Sequence, residues 1–306
     1  TKDYPTRKLQ AIKKQDLYGA DIYGYNKRIG NHLLTEISMS ILNPKYTEDS
    51  MLEESIAFFH SIIFNPNVHD NKFNKEIFDI VIENNIADIK SIKENPGSYA
   101  ITRLKENMDD KNPFSYRMIG YLDDIDKINP SNLYTSYKSM LNNNLIDLYV
   151  IGNFNEEEIE SLIKKYFKFK TIKKEKQDIN LSYKNYKKTP KEVTEESNLN
   201  QSILAIGCSL NRLNEKEKKY ILTLYNIILG NSPDSKLFKN VREKHSLAYS
   251  ISSSFKRFDD VMIINAGISS KNYQEVIKLI KKEMLDIKNK NFTKEDLDKA
   301  KELFIS

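Results

Sequence analysis

The feature of this 306-residue sequence that most constrains its fold is an order of predicted elements that occurs twice. Residues 20–41 have the pattern of two strands joined through Gly30, and apolar residues at helical spacing follow at 48–63. In the second half, two predicted strands at 247–268 precede a long predicted helix at 273–288. The repetition predicts an α+β fold of two homologous modules, each an antiparallel sheet covered on one face by helices.

A polar segment at 169–197 separates the two halves. Lysine, glutamate and asparagine dominate it, and no apolar periodicity runs through it. We therefore expect a first module at 1–168, a linker at 169–197 and a second module at 198–306. Alignment of the halves leaves the first module without an opening strand and helix, and the second module without its C-terminal part.

Composition limits the class of protein. No run approaches the ~18 apolar residues of a membrane-spanning helix, and no signal-peptide pattern opens the chain. The 48 basic residues are interleaved with 43 acidic ones, which argues against nucleic-acid binding. Cys208 is the only cysteine, so an internal disulfide and a cysteine metal cluster are excluded. These observations favour a cytoplasmic protein that binds neither nucleic acid nor membrane.

The segment at 237–251 carries the densest candidate chemistry. A predicted helix holds Arg242, and the predicted strand after it holds Tyr249. A guanidinium can donate hydrogen bonds to peptide carbonyls, and a phenol can donate to an oxyanion that forms at a scissile carbonyl. The alternative interpretation is an exposed arginine and a core tyrosine, both of which are common in folded proteins.

This segment resembles the C-terminal module of the insulinase, pitrilysin and mitochondrial-processing-peptidase family of zinc peptidases. The Gly-Asn-Ser-Pro break at 230–233 and the Asn-Pro-Phe motif at 112–114 fit the same family, as does a predicted strand at 145–151. The resemblance covers nearly the whole chain. It implies that Arg242 and Tyr249, seven positions apart, reach a peptide bound at the zinc site of another module.

Catalysis in that family needs a His-x-x-Glu-His helix, in which two histidines hold zinc and the glutamate deprotonates a water molecule. No pair of histidines in this sequence has that spacing; the four are His32, His60, His69 and His245. We expect no metal site and no cofactor in this chain, and we expect zinc in a catalytic partner. Glu76 and Glu83 match the spacing of two downstream family glutamates, of which the second binds zinc, or they form a solvated acidic stripe.

Two departures from the family pattern bear on activity. Residues 21–26 read Asp-Ile-Tyr-Gly-Tyr-Asn, where an active module has an Asn-Ala-x-Thr strand that holds the substrate backbone. This departure favours a non-catalytic first module. Ser246 stands where relatives usually have glycine, so we expect strain in the turn that leads to Tyr249.

Three functions stay open on the sequence. The preferred interpretation is a non-catalytic, peptide-binding subunit of a bacterial heterodimeric peptidase, which supplies Arg242 and Tyr249 to a homologous catalytic partner. One alternative is a complete zinc endopeptidase whose motif helix lies upstream of Thr1. The other is a structural core-like scaffold protein that kept the fold and lost the chemistry. The chain alone is expected to be inactive.

Overall fold

The computed structural model describes residues 1–169, 190–210 and 213–305. By their internal contacts, the residues divide into two compact units. The first consists of Thr1–Lys27, Leu33–Ile89 and Ile119–Gln177, and the second of Arg28–His32, Lys90–Met118 and Asp178–Ser306. Units defined by contact differ from modules defined by homology, so the module boundaries at 168 and 198 stay a prediction. Most of the predicted linker, residues 170–189, lies outside the described residues.

The first unit is mainly helical, and α2 lies at its centre. Met51 and Phe58 of α2 pack with Leu17 in one apolar cluster, while Leu52 and Ile56 pack in another with Ile159 and Phe167. An apolar residue at every third or fourth position gives α2 two faces that can be buried at once. The elements of this unit are α1 (Arg7–Asp16), β1 (Asp21–Ile29), β2 (His32–Ser40), α2 (Met51–Phe64), β3 (Val68–His69), β4 (Lys72–Phe73), α3 (Lys75–Ser91), α5 (Leu122–Ile125), α6 (Pro130–Asn143) and α7 (Glu156–Tyr166).

The predicted strand at 145–151 is not a strand in the structure. Its apolar side chains are exposed, and 82% of Tyr149 and 96% of Ile151 are accessible to solvent. A strand needs a neighbour to satisfy its backbone groups, and none of the described strands pairs with this segment. The apolar sequence is therefore not enough to make it a strand.

The second unit contains a three-stranded antiparallel sheet in the order β5-β7-β6. Its central strand β7 is buried along almost its whole length, and helices precede and follow the sheet in the chain. The elements are α4 (Pro96–Met108), β5 (Ser202–Ser209), a π-helix (Glu217–Ile221), α8 (Leu222–Leu229), a second π-helix (Phe238–Lys244), β6 (Ala248–Lys256), β7 (Val261–Ile268), α9 (Tyr273–Lys288) and α10 (Lys294–Ile305).

Helices lie against both faces of this sheet, whereas the sequence analysis expected them on one face. Even-numbered side chains of β7, such as Ile264, pack in a core with Leu229 of α8 and Val276 of α9. Odd-numbered ones, such as Ile263, pack against α4 and Phe114. A strand covered on both sides has a continuous apolar sequence, and β7 reads Val-Met-Ile-Ile-Asn-Ala-Gly-Ile.

Charged contacts hold the described end of the predicted linker within the second unit. Tyr99 and Arg103 of α4 donate hydrogen bonds to the Glu195 carboxylate at 2.8 and 2.6 Å. Arg28 donates through both terminal nitrogens to Asp259, each at 2.7 Å. Bidentate pairs of this kind fix direction as well as distance, so they position the segments that carry them.

Candidate functional site

Arg242 and Tyr249 lie on consecutive elements of the second unit. Arg242 is on the π-helix at 238–244, Tyr249 is the second residue of β6, and both side chains are exposed. Tyr249 keeps 66% of its surface accessible, so it is not a core residue. Runs of π-helix are rare and occur mostly at functional sites.

The turn between these two elements is closed by backbone hydrogen bonds. The N–H of His245 donates to the carbonyl of Asn240 at 3.3 Å, and the N–H of Leu247 donates to that of Val241 at 3.0 Å. Between them, Ser246 has φ +53°, in the left-handed region that favours glycine. The expected strain at Ser246 is therefore present in the backbone.

A β-bulge places Tyr249 outside the regular strand pairing. Ala248 lies opposite Ile268 and Ser250 lies opposite Gly267, so Tyr249 is the extra residue between them. The inserted residue of a bulge is left unpaired, and the strand bends locally, which redirects side chains. The bulge explains how an early residue of β6 projects a large aromatic side chain into solvent.

A buried polar contact fixes β6 against the end of α8. The N–H of Ser253 donates to the carbonyl of Gly230 at 3.0 Å, and the Ser253 hydroxyl donates to Oδ1 of Asn226 at 2.8 Å. Asn226 and Ser253 are both buried. A β-carbon on Gly230 would lie 2.7 Å from Oγ of Ser253, so only glycine fits this approach. The contact sets where the chain leaves α8 on its way to Arg242.

A second buried group lies next to the loop between Gly230 and the π-helix. Glu283 of α9 is 1% exposed among apolar residues, and its carboxylate lies 3.7 Å from Nζ of Lys236. Such pairs contribute little net stability but fix the geometry of the segments that carry them in some proteins. Here the pair connects α9 to the residue two positions before the π-helix.

Comparison with known proteins bears directly on this site. The sequence profile of the peptidase M16 inactive domain matches residues 127–304, which is more than half of the chain and includes Arg242 and Tyr249. The chain belongs to the peptidase M16 inactive-domain family. This confirms the resemblance inferred from the sequence.

Relatives within and beyond this family share nearly the whole chain. A probable inactive metalloprotease of Bacillus subtilis, YmfF, is 27% identical over 303 residues, which cover 98% of this chain and 71% of the relative. A conserved protein of Enterococcus faecalis V583 has a solved structure at 30% identity and TM-score 0.90, covering 99% of this chain and 71% of that one. A solved M16 inactive domain of Pseudomonas fluorescens, at 17% identity and TM-score 0.70, covers 97% and 69% and shares the fold.

The described residues of this M16 chain do not fit a zinc ion. Within residues 1–169, 190–210 and 213–305, no three His, Cys, Asp or Glu side chains are grouped as metal ligands would be. Glu76 and Glu83 are both exposed on α3, as the solvated-stripe interpretation expects. His60 instead stacks on Phe64 with ring centroids 4.9 Å apart, and burial lowers its pKa.

The sequence analysis missed Phe238. The Arg242 guanidinium carbon lies over the Phe238 ring, 4.6 Å from its centroid. The spacing of four residues on one helix was a signal that could have indicated this contact. As for membranes, no helix in the described ranges is both long and apolar enough to cross a bilayer.

Proposed function

We propose that this chain is a non-catalytic, peptide-binding subunit of a zinc-peptidase pair, and that it supplies Arg242 and Tyr249 to the active site of a homologous partner. The observation that carries the proposal is the outward presentation of both donors, Arg242 from the π-helix and Tyr249 from the β-bulge. Exposed groups on a buried scaffold suit contact with another molecule better than they suit folding.

The chemistry of the two side chains is complementary. Arg242 would donate to carbonyl oxygens of an extended peptide, since a guanidinium offers several N–H groups in one plane. Tyr249 would donate its phenolic hydrogen to the oxyanion that develops at the scissile carbonyl. A donor of this kind acts on the transition state and therefore changes kcat, whereas a carbonyl clamp acts equally on bound substrate and changes KM.

The remaining parts of the proposal concern the whole assembly. The homologous partner would supply zinc and the general base, and the two chains would form a heterodimer in the cytoplasm. Each would be built from two homologous modules, here at 1–168 and 198–306. The name of the Bacillus subtilis relative, a probable inactive metalloprotease, supports a chain that does not cut peptides alone.

The test reconstitutes this chain with an M16 homologue from its own source that carries a His-x-x-Glu-His helix. Cleavage of a quenched fluorescent peptide of mixed sequence is measured for Arg242→Ala and Tyr249→Phe. Loss of one oxyanion donor lowers kcat by about 100-fold, so Tyr249→Phe should fall by that order. Arg242→Ala should raise KM.

Two variants at exposed positions outside the site serve as matched controls. Arg7→Ala on α1 and Tyr220→Phe on the first π-helix remove the same groups from other exposed positions. Both should leave cleavage and thermal unfolding unchanged. If Arg242→Ala and Tyr249→Phe also cleave at the unaltered rate, the scaffold interpretation replaces the proposal.

A further inference from the structure

The Arg242 guanidinium is held by an aromatic ring. Its carbon lies 4.6 Å from the centroid of Phe238, four positions earlier on the same π-helix. Phe238 is half-buried, and its neighbour Leu237 is fully buried, as is Val241 beside Arg242. The ring is therefore a fixed platform, and the arginine above it is exposed.

The other arginines in the described part of this unit are held differently. Each of them is ion-paired with a carboxylate, whereas Arg242 has no carboxylate partner among the described residues. The four ion pairs are Arg28 with Asp259, Arg103 with Glu106 and Glu195, Arg117 with Glu106, and Arg257 with Glu215.

The two kinds of contact leave a guanidinium in different chemical states. A carboxylate accepts from the N–H groups in the guanidinium plane and so occupies the donors. An aromatic ring attracts the flat face of the cation through its quadrupole and leaves the N–H groups at the edge free. Arg242 is thus oriented while its hydrogen-bonding capacity is unused.

We infer that Phe238 is a positioning residue, which orients Arg242 so that its free N–H groups meet the backbone carbonyls of an extended peptide. The inference rests on the proposed function and adds the residue that prepares Arg242 for its ligand. Backbone carbonyls occur at every position of a peptide, so the site prepared in this way takes extended peptides with little regard to side-chain sequence.

The experiment uses the reconstituted pair and the same quenched peptide. Phe238→Leu removes the ring and keeps an apolar side chain, and we expect KM to rise about 2–5-fold with kcat nearly unchanged, the effect of losing an exposed cation–π contact. Phe238→Tyr keeps the ring and should retain the original KM. In the Arg242→Ala background, Phe238→Leu should add no further increase, because the residues act as a unit.

A matched control comes from the loop after β6. The Arg257 guanidinium lies 5.7 Å from the Phe258 ring centroid, but Arg257 also donates to Glu215. Phe258→Leu should therefore leave KM unchanged. Urea unfolding checks that each variant is folded, and Phe238→Met, closer in volume to phenylalanine, replaces Phe238→Leu if the latter unfolds.

The outcomes separate this inference from the proposed function. If Arg242→Ala raises KM but the folded Phe238→Leu or Phe238→Met variant does not, the positioning role is wrong and the proposed function stands. An additive increase in the double variant also overturns the positioning role, because it places the effect of Phe238 elsewhere. If Arg242→Ala leaves KM unchanged, the proposed function itself fails.

Discussion

Substitution of Gly230 by alanine tests the contact that fixes β6 against α8. The added β-carbon would lie 2.7 Å from Oγ of Ser253, 2.9 Å from its backbone nitrogen and 2.9 Å from Cδ1 of Leu237. Gly230 has φ −161°, a conformation open to any residue, so the cost is steric. The Ser253 hydroxyl can rotate, but the backbone nitrogen cannot retreat without lengthening its 3.0 Å hydrogen bond to Gly230.

The size of the effect follows from these two terms. Overpacking of a buried site costs about 1–3 kcal/mol, and loss of one buried hydrogen bond adds about 0.5–1.5 kcal/mol. We therefore expect Gly230→Ala to lower the free energy of unfolding by about 2–4 kcal/mol. In urea, this corresponds to a midpoint about 1 M lower, if the slope is about 2–3 kcal/mol/M.

Gly97→Ala is the matched control for this measurement. Gly97 lies in the first turn of α4 in the same unit, and its added β-carbon would meet only ordinary contacts at 3.7 and 3.9 Å. Alanine has the higher helix propensity, so this variant should be neutral or slightly more stable. A Gly230→Ala protein as stable as Gly97→Ala would refute the reasoning about the approach of β6 to α8.

Two further predictions concern strain and pH. Ser246→Gly should raise the free energy of unfolding by about 0.5–1 kcal/mol, because glycine adopts φ +53° without strain, and a lower thermal midpoint would contradict this. Burial lowers the pKa of His60 from its ordinary 6.5, so on acidification the unfolded chain binds the proton first. Stability should therefore fall as the pH drops below about 6.5, and His60→Gln should show a smaller fall; an identical pH profile for both proteins would refute the assignment.

Local sequence patterns predicted the elements that local interactions decide. The hairpin at 20–41 is confirmed as β1 and β2, the helix at 48–63 as α2, and the helix at 273–288 as α9. Asn214 and Glu217, whose spacing is typical of a capping box, exchange the two expected hydrogen bonds at 2.7 and 3.0 Å. In each case, the residues that set the structure are close in sequence.

Features that depend on distant partners were not predictable in the same way. The bulge at Tyr249 exists because of how β6 registers against β7, and the second helical face of the sheet comes from α4, about 100 residues earlier. Segment 145–151 has a strand-like sequence but no described strand beside it. Candidate site residues could be found by motif, whereas their presentation by a bulge and an aromatic ring required the structure.

The measurement that tests the central claim most directly is photocrosslinking from position 249. A photoreactive phenylalanine derivative replaces Tyr249 in the chain, which is then paired with its zinc-binding homologue and a labelled peptide. The proposal predicts a covalent adduct between this chain and the peptide in the assembled pair, and none from the same derivative at the exposed Tyr220. An assembled, active pair that forms no adduct from position 249 would contradict the proposal that this chain presents Tyr249 to the substrate.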